Sequence, residues 1–150
     1  MTDYLLVHGA GQGSWSWGRV WGYLTAPSEH PPRLNSNPKI NKVITIDLPA
    51  HGADRGKDTS VVLPEECINA IVNSVESEHM SDVVLVAHGS SAPLVLKASL
   101  ELPRPPKRVI LVSGVIPSRG RSMISVLPFH LRFAFTLYHL ITSFIGKDMY

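Results

Sequence analysis

The sequence predicts an α/β fold, a parallel sheet with helices on both faces, and three observations carry that prediction. Four short apolar runs are continuous rather than alternating, as expected of strands buried on both faces. Helical patterns lie between them, and strand–helix–strand alternation implies right-handed crossovers. Three of the runs end in loops of the kind that build a ligand crevice at the carboxyl edge of an open sheet.

The first run is Tyr4-Leu5-Leu6-Val7, followed by a Trp-rich helix predicted over Ser14 to Leu24. Ala26 to Asn41 holds four prolines (Pro27, Pro31, Pro32, Pro38) and reads as an irregular surface excursion. The second run, Val43-Ile44-Thr45-Ile46, precedes a helix over Leu63 to His79. There Pro64 suits a first helical position, and Ile68, Ile71, Val72 and Val75 form one stripe. The third run, Val83-Val84-Leu85-Val86, leads to a helix over Ser90 to Leu102 that Pro103 closes. The fourth run is Val109-Ile110-Leu111-Val112. From Ser122 to Ile145 the chain is strongly apolar with one formal charge, Arg132. Its uncharged stretch from Phe133 to Ile145 is shorter than the roughly 20 residues a bilayer needs, so a lid or interface helix is expected rather than a membrane span. The organisation read here is a core over 1–121 followed by a helical cap, lid or interface segment over 122–150.

The 150 residues are 44% hydrophobic and 17% charged, enough to bury a core. A net charge of +2, spread without a Lys/Arg cluster, excludes a nucleic-acid footprint. The lone cysteine, Cys67, cannot form an internal disulfide and suits a reducing compartment. The start of the chain lacks a basic n-region, so no signal peptide is expected and the cytoplasm is the expected location.

Chemistry concentrates in three loops. In His8-Gly9-Ala10-Gly11-Gln12-Gly13-Ser14-Trp15-Ser16-Trp17, the glycines allow a sharp turn with backbone N–H groups directed into the crevice, as an oxyanion hole needs. The spacing departs from the G-x-G-x-x-G dinucleotide fingerprint, because Ser14 and Trp15 stand at and after the third glycine's slot; no cofactor is expected. In Asp47-Leu48-Pro49-Ala50-His51-Gly52, Asp47 reads as a structural hydrogen-bonder. The third loop, Ala87-His88-Gly89-Ser90-Ser91-Ala92-Pro93, has the layout of a nucleophile elbow, in which small flanking residues let a strained turn pack between strand and helix. Ala87 and Ser91 are those small residues when Gly89 is the nucleophile slot; a frame slid by one would place Ser90 there, with the bulky His88 as a flank. His8, His51 and His88 near strand ends could suggest a metal site, but loop bracing is the reading preferred, and no metal is expected. Trp15 and Trp17 are expected to pack rather than to cage a ligand.

Together, V-H-G-A-G-x-G-x-W-x-W, D-L-P-A-H-G and V-A-H-G-S-S-A resemble the α/β-hydrolase superfamily, closest to its esterase and hydroxynitrile-lyase-like branch. The resemblance runs from Tyr4 to about Pro117, with the apolar tail at the place of the cap, so the fold expected is α/β-hydrolase-like and truncated after the start of the cap. It implies that the backbone N–H groups of Ala10 and Ser90 form the oxyanion hole. Gly89 would stand where the family's serine nucleophile stands, and Gly9, Gly11, His88 and Ser91 would line the substrate site. The family's triad Asp and His follow the cap, and no residue here corresponds to them.

The expectation is therefore an inactive or incomplete hydrolase whose ligand is a small apolar ester or carbonyl compound. Two alternatives stay open: a non-catalytic module binding a small ligand or a protein on the same fold, and a hydrolase using Ser90 or Ser91 as nucleophile. The apolar edge after Val109 to Val112 needs cover, which a second copy or a complementing C-terminal segment would supply.

Overall fold

In the computed structural model, which describes residues 2–26, 40–56, 58 and 61–145, four strands form one sheet. They are β1 (Thr2–Val7), β2 (Ile40–Ile46), β3 (Val83–His88) and β4 (Arg108–Val112). All pairings are parallel, in the order β2-β1-β3-β4, with Leu5 opposite Ile44 on one side and Leu85 on the other. Three helices connect them: α1 (Gly18–Thr25), α2 (Pro64–Ser77) and α3 (Ala92–Glu101).

The continuous apolar strands bury side chains on both faces, as the period-2 geometry of a doubly covered sheet demands. On one face Leu5, Val7, Val83, Leu85 and Ala87 pack with Ile68, Ile71 and Val75 of α2 and Val95 and Ala98 of α3. On the other, Leu6, Val43, Val84 and Val86 pack with Trp17 and Leu24. Leu5, Val7, Leu85 and Ile71 are fully enclosed. At about 25 cal/mol per Å² of apolar area removed from water, each such side chain contributes roughly 1.5–3 kcal/mol before entropy is counted.

Several boundaries differ from the sequence reading. The Trp-rich helix splits into a 3₁₀ turn over Ser14–Trp17 and then α1, and the predicted start at Ser90 is likewise a 3₁₀ turn, Gly89–Ser91, before α3. The paired backbone of β2 begins at Ile40, inside the expected proline-rich excursion; Pro27, Pro31, Pro32 and Pro38 lie outside the described residues. The sheet edge at β4 keeps Ile110 and Val112 exposed while Val109 and Leu111 pack on the core.

Compact units divide at Gly114: Met1–Gly114 holds the sheet, and Val115–Tyr150 is the second. The second unit is not one continuous helix. A 3₁₀ turn over Met123–Val126 ends at Leu127 and Pro128 before α4 (Phe129–Ile145). Phe129, Leu131, Phe133, Phe135 and Leu137 of α4 are exposed. Among the described residues no helix is long and apolar enough to cross a membrane.

Candidate functional site

The strand order fixes where a site belongs. From β1 the chain turns outward to β2, whereas from β3 it turns the other way to β4, so the carboxyl ends of β1 and β3 flank a topological switch point. The loops after β1 and β3 therefore face one crevice. Residues eighty apart in sequence meet there: the Ala10 N–H donates to Ser90 Oγ at 2.8 Å.

The turn after β3 borders that crevice. Gly89 adopts φ +56°, in the left-handed region that side-chain-bearing residues enter at a cost of roughly 1–2 kcal/mol. A Cβ added at Gly89 would meet nothing within 4 Å. Its flanks are enclosed: Ala87 is fully buried, and Ser91 is 2% exposed. The Ser91 hydroxyl lies 2.9 Å from the His88 carbonyl and 3.3 Å from that of Val7, and it accepts from the His88 N–H at 3.2 Å. Ser91 thus stitches the turn to the end of β1.

His88 is half-buried and packs edge-on against Trp17, with ring centroids 6.2 Å apart. Its Nδ1 lies 3.0 Å from Gln12 Oε1, the same oxygen that accepts the Gly9 N–H at 3.3 Å. Because that oxygen only accepts, Nδ1 carries the proton. Gly9 itself is buried, and a Cβ there would sit 3.0 Å from His88 Nδ1, so the first loop rests directly on this imidazole.

The other end of the crevice is held by His8 and Asp47. His8 is completely buried, its Nδ1–H donates to the Gly9 carbonyl at 2.8 Å, and its Nε2 accepts from the Leu48 N–H at 3.0 Å. Burial lowers its pKa below the usual 6.5; the Gly9 carbonyl opposes that, and His51, with its ring 5.3 Å away, adds to the lowering. Both nitrogens are occupied, so His8 has no lone pair left for a metal. Asp47 accepts from the Ser14 N–H at 2.5 Å and the Ala53 N–H at 3.1 Å. Desolvation pushes its carboxyl upward, but these donors outweigh it and hold the pKa below the ordinary value. Among the described residues no three His, Cys, Asp or Glu side chains cluster as a metal-ligand set.

Two clefts open beside these loops. One of about 430 Å³ is lined by Gly11, Gln12, Trp15, Ala50, His51, Gly52 and Arg55. The other, about 130 Å³, is lined by Gln12, Ser16, Trp17, Val20 and His88. Gly11 and His88, both read as lining residues, fall on different clefts, while Gly9 and Ser91 are buried. Trp17 packs in the core as expected, but Trp15 is 70% exposed and forms a cleft wall instead. The sequence reading missed Gln12 as the brace of both Gly9 and His88, and the contact between Ser90 and Ala10. No local signal marks either, because each partner lies far along the chain.

Comparison with known proteins fits this geometry. No curated protein sequence matches the chain closely enough to count as a relative. Among solved structures, an extracellular alpha/beta-hydrolase from a Paenibacillus species superposes with a TM-score of 0.72 at 20% identity, over 91% of this chain and 50% of its own. That protein is described as structurally and functionally homologous to tobacco salicylic acid binding protein 2. A peroxisomal alpha-beta-hydrolase from Saccharomyces cerevisiae matches with a TM-score of 0.61 at 18% identity, over 81% and 34% of the two chains. The thioesterase RedJ of the prodiginine pathway in Streptomyces coelicolor gives 0.60 at 16% identity, over 98% and 50%. This chain spans about half the length of the first of these structures and of RedJ. The family model for alpha/beta hydrolases matches residues 4–149, nearly the whole sequence, and the chain belongs to the alpha/beta hydrolase family.

Proposed function

We propose that this chain carries the first half of a serine-hydrolase-type site whose nucleophile is missing, so that it binds at the crevice without forming an acyl-enzyme. One observation carries the reading: Gly89 holds the left-handed backbone of a nucleophile elbow, with open space where a serine side chain would stand. Glycine offers no atom to attack a carbonyl. The backbone N–H groups of Ala10 and Ser90 are the oxyanion-hole donors in this reading, and the bond between Ala10 and Ser90 supports their nearness. Gly9, Gly11, His88 and Ser91 support or line the substrate side. The ligand class is a small apolar ester or carbonyl compound. Residues 1–121 form the hydrolase-type core and 122–150 a cap, lid or interface segment, which a second copy or a complementing C-terminal segment completes. The buried, unpaired thiol of Cys67 supports a reducing, cytoplasmic setting.

A second reading, a binding module on the same fold, draws support from the 430 Å³ cleft, which lies within the size range of small-ligand sites. A hydrolase using Ser90 or Ser91 is less well supported. Among the described contacts, the Ser91 hydroxyl meets the backbone carbonyls of Val7 and His88 and the Ser90 hydroxyl accepts from the Ala10 N–H, so neither meets an imidazole ring.

The test is p-nitrophenyl acetate turnover by the wild-type chain and Gly89→Ser, followed by mass spectrometry for covalent acetyl. The expected result is no acetyl adduct on the wild type and slow acetylation at residue 89 in Gly89→Ser without a burst, because the family's imidazole base has no counterpart in this chain. An adduct on Ser90 or Ser91 of the wild type would overturn the reading. A folded Gly89→Ser that takes up no acetyl at residue 89 would favour the binding module.

A further inference from the structure

We propose that the Ser90 hydroxyl is a built-in competitor for ligands at the Ala10 N–H, and that it makes this position selective for anionic oxygens over neutral carbonyls. The inference rests on the reading above that this turn faces ligand. The 2.8 Å bond from the Ala10 N–H to Ser90 Oγ puts a side-chain oxygen of the protein on a backbone donor at the switch point. A ligand oxygen that uses this donor must displace it.

The bond is placed to be exchanged. Ala10 is exposed and Ser90 only half-buried, so the contact is open to solvent. A serine side chain has one heavy-atom torsion with three staggered wells, and a single rotation withdraws Oγ from Ala10. The neighbouring Ser91 is different, since its buried hydroxyl sits among two carbonyls and an N–H. On the other side, the empty volume next to Gly89 gives a ligand room to approach.

Selectivity follows from what is exchanged. A neutral carbonyl replacing a neutral hydroxyl swaps one ordinary hydrogen bond for another, with little gain. An anionic oxygen forms a charge-assisted bond roughly twice as strong, so it displaces the hydroxyl with a net gain. The class favoured at the Ala10 donor is a carboxylate or another small oxyanion; a neutral ester or carbonyl ligand of the kind proposed above would occupy the rest of the crevice without using this donor. Ser90 acts here through its competition for the donor and is a specificity-determining residue.

The experiment follows the Ala10 amide resonance of the ¹⁵N-labelled full chain during titration with acetate and, separately, methyl acetate, at constant ionic strength. Acetate is expected to shift the resonance saturably in the wild type, and methyl acetate to leave it in place. Ser90→Ala should bind acetate about three- to tenfold more tightly, the worth of one exchanged hydrogen bond, and should admit methyl acetate. Ser90→Cys keeps the size but offers a weaker acceptor, so it should fall between; it decides the matter if Ser90→Ala does not fold. Equal acetate affinity in the folded variants and wild type would overturn the proposal. So would equal binding of the two probes by the wild type, or an Ala10 resonance that acetate never moves. Because affinity is read with Gly89 unchanged, a failed acetylation of Gly89→Ser leaves this test standing.

Discussion

Gly52 and Gly89 share one backbone conformation, φ +56°, in opposite surroundings. At Gly52 an added Cβ would overlap the Asp47 carboxyl group, and the corner is crowded enough that a Cβ added at Gly13 would come within 2.8 Å of the Gly52 Cα. At Gly89 the same added atom meets open space. One glycine is demanded by packing, the other only by its backbone angle. The absence of a side chain at 89 is thus not imposed by lack of room.

The largest expected effect breaks that pair apart. Gly52→Ala forces a methyl group into the Asp47 carboxyl and adds left-handed strain, so it should cost roughly 3–4 kcal/mol, the sum of an overpacked site and a disfavoured φ. Gly89→Ala pays for backbone alone, about 1–2 kcal/mol. Urea unfolding of both variants checks the contrast, and equal costs would mean that the crowding at Gly52 is relieved by movement of the loop.

Asp47→Asn comes between these two. The carboxylate accepts from the Ser14 and Ala53 N–H groups and so ties the loop after β1 to the loop after β2. Replacing one oxygen with an amide leaves an N–H donor unmatched or facing another donor, a loss of about 2 kcal/mol in the unfolding free energy. If the crevice depends on this clamp, the Ala10 amide resonance should move in Asp47→Asn although residue 47 is a loop away.

The strands were legible because burial on both faces writes itself locally: Val83 to Val86 has no polar interruption, and all four residues are buried. The turn at Gly89 was legible for a related reason, since Ala87 and Ser91 are small where the fold leaves no room. What remained hidden was the wiring. Gln12 bracing His88 spans 76 positions, and Ala10 bonding Ser90 spans 80. Such contacts depend on how the crossovers bring loops together, and no spacing rule reports them. Trp15 was hidden otherwise: a Trp beside a buried Trp17 reads as core, yet the 3₁₀ turn over Ser14–Trp17 directs it outward.

The smallest effect concerns pH, and it sharpens the comparison from the Asp47 side. His8 is neutral in the fold, with its pKa lowered by burial from the usual 6.5. Below that value the unfolded chain takes up a proton that the folded one refuses until its own lower pKa. The unfolded state then binds more protons, so stability is intact above about pH 6.5 and falls as pH drops through the window beneath it. One proton per molecule limits the slope to about 1.4 kcal/mol per pH unit. His8→Gln removes the titrating group, and its urea-unfolding free energy should decline less steeply than the wild type's over that window. Protonation would also deprive the Leu48 N–H of its acceptor, loosening the corner that carries Asp47 and Gly52 while the Gly89 turn, held by Ser91, keeps its shape. Hydrogen exchange at Leu48 rising ahead of that at His88 as the pH is lowered is the outcome that separates the two regions; simultaneous loss would make them one cooperative unit.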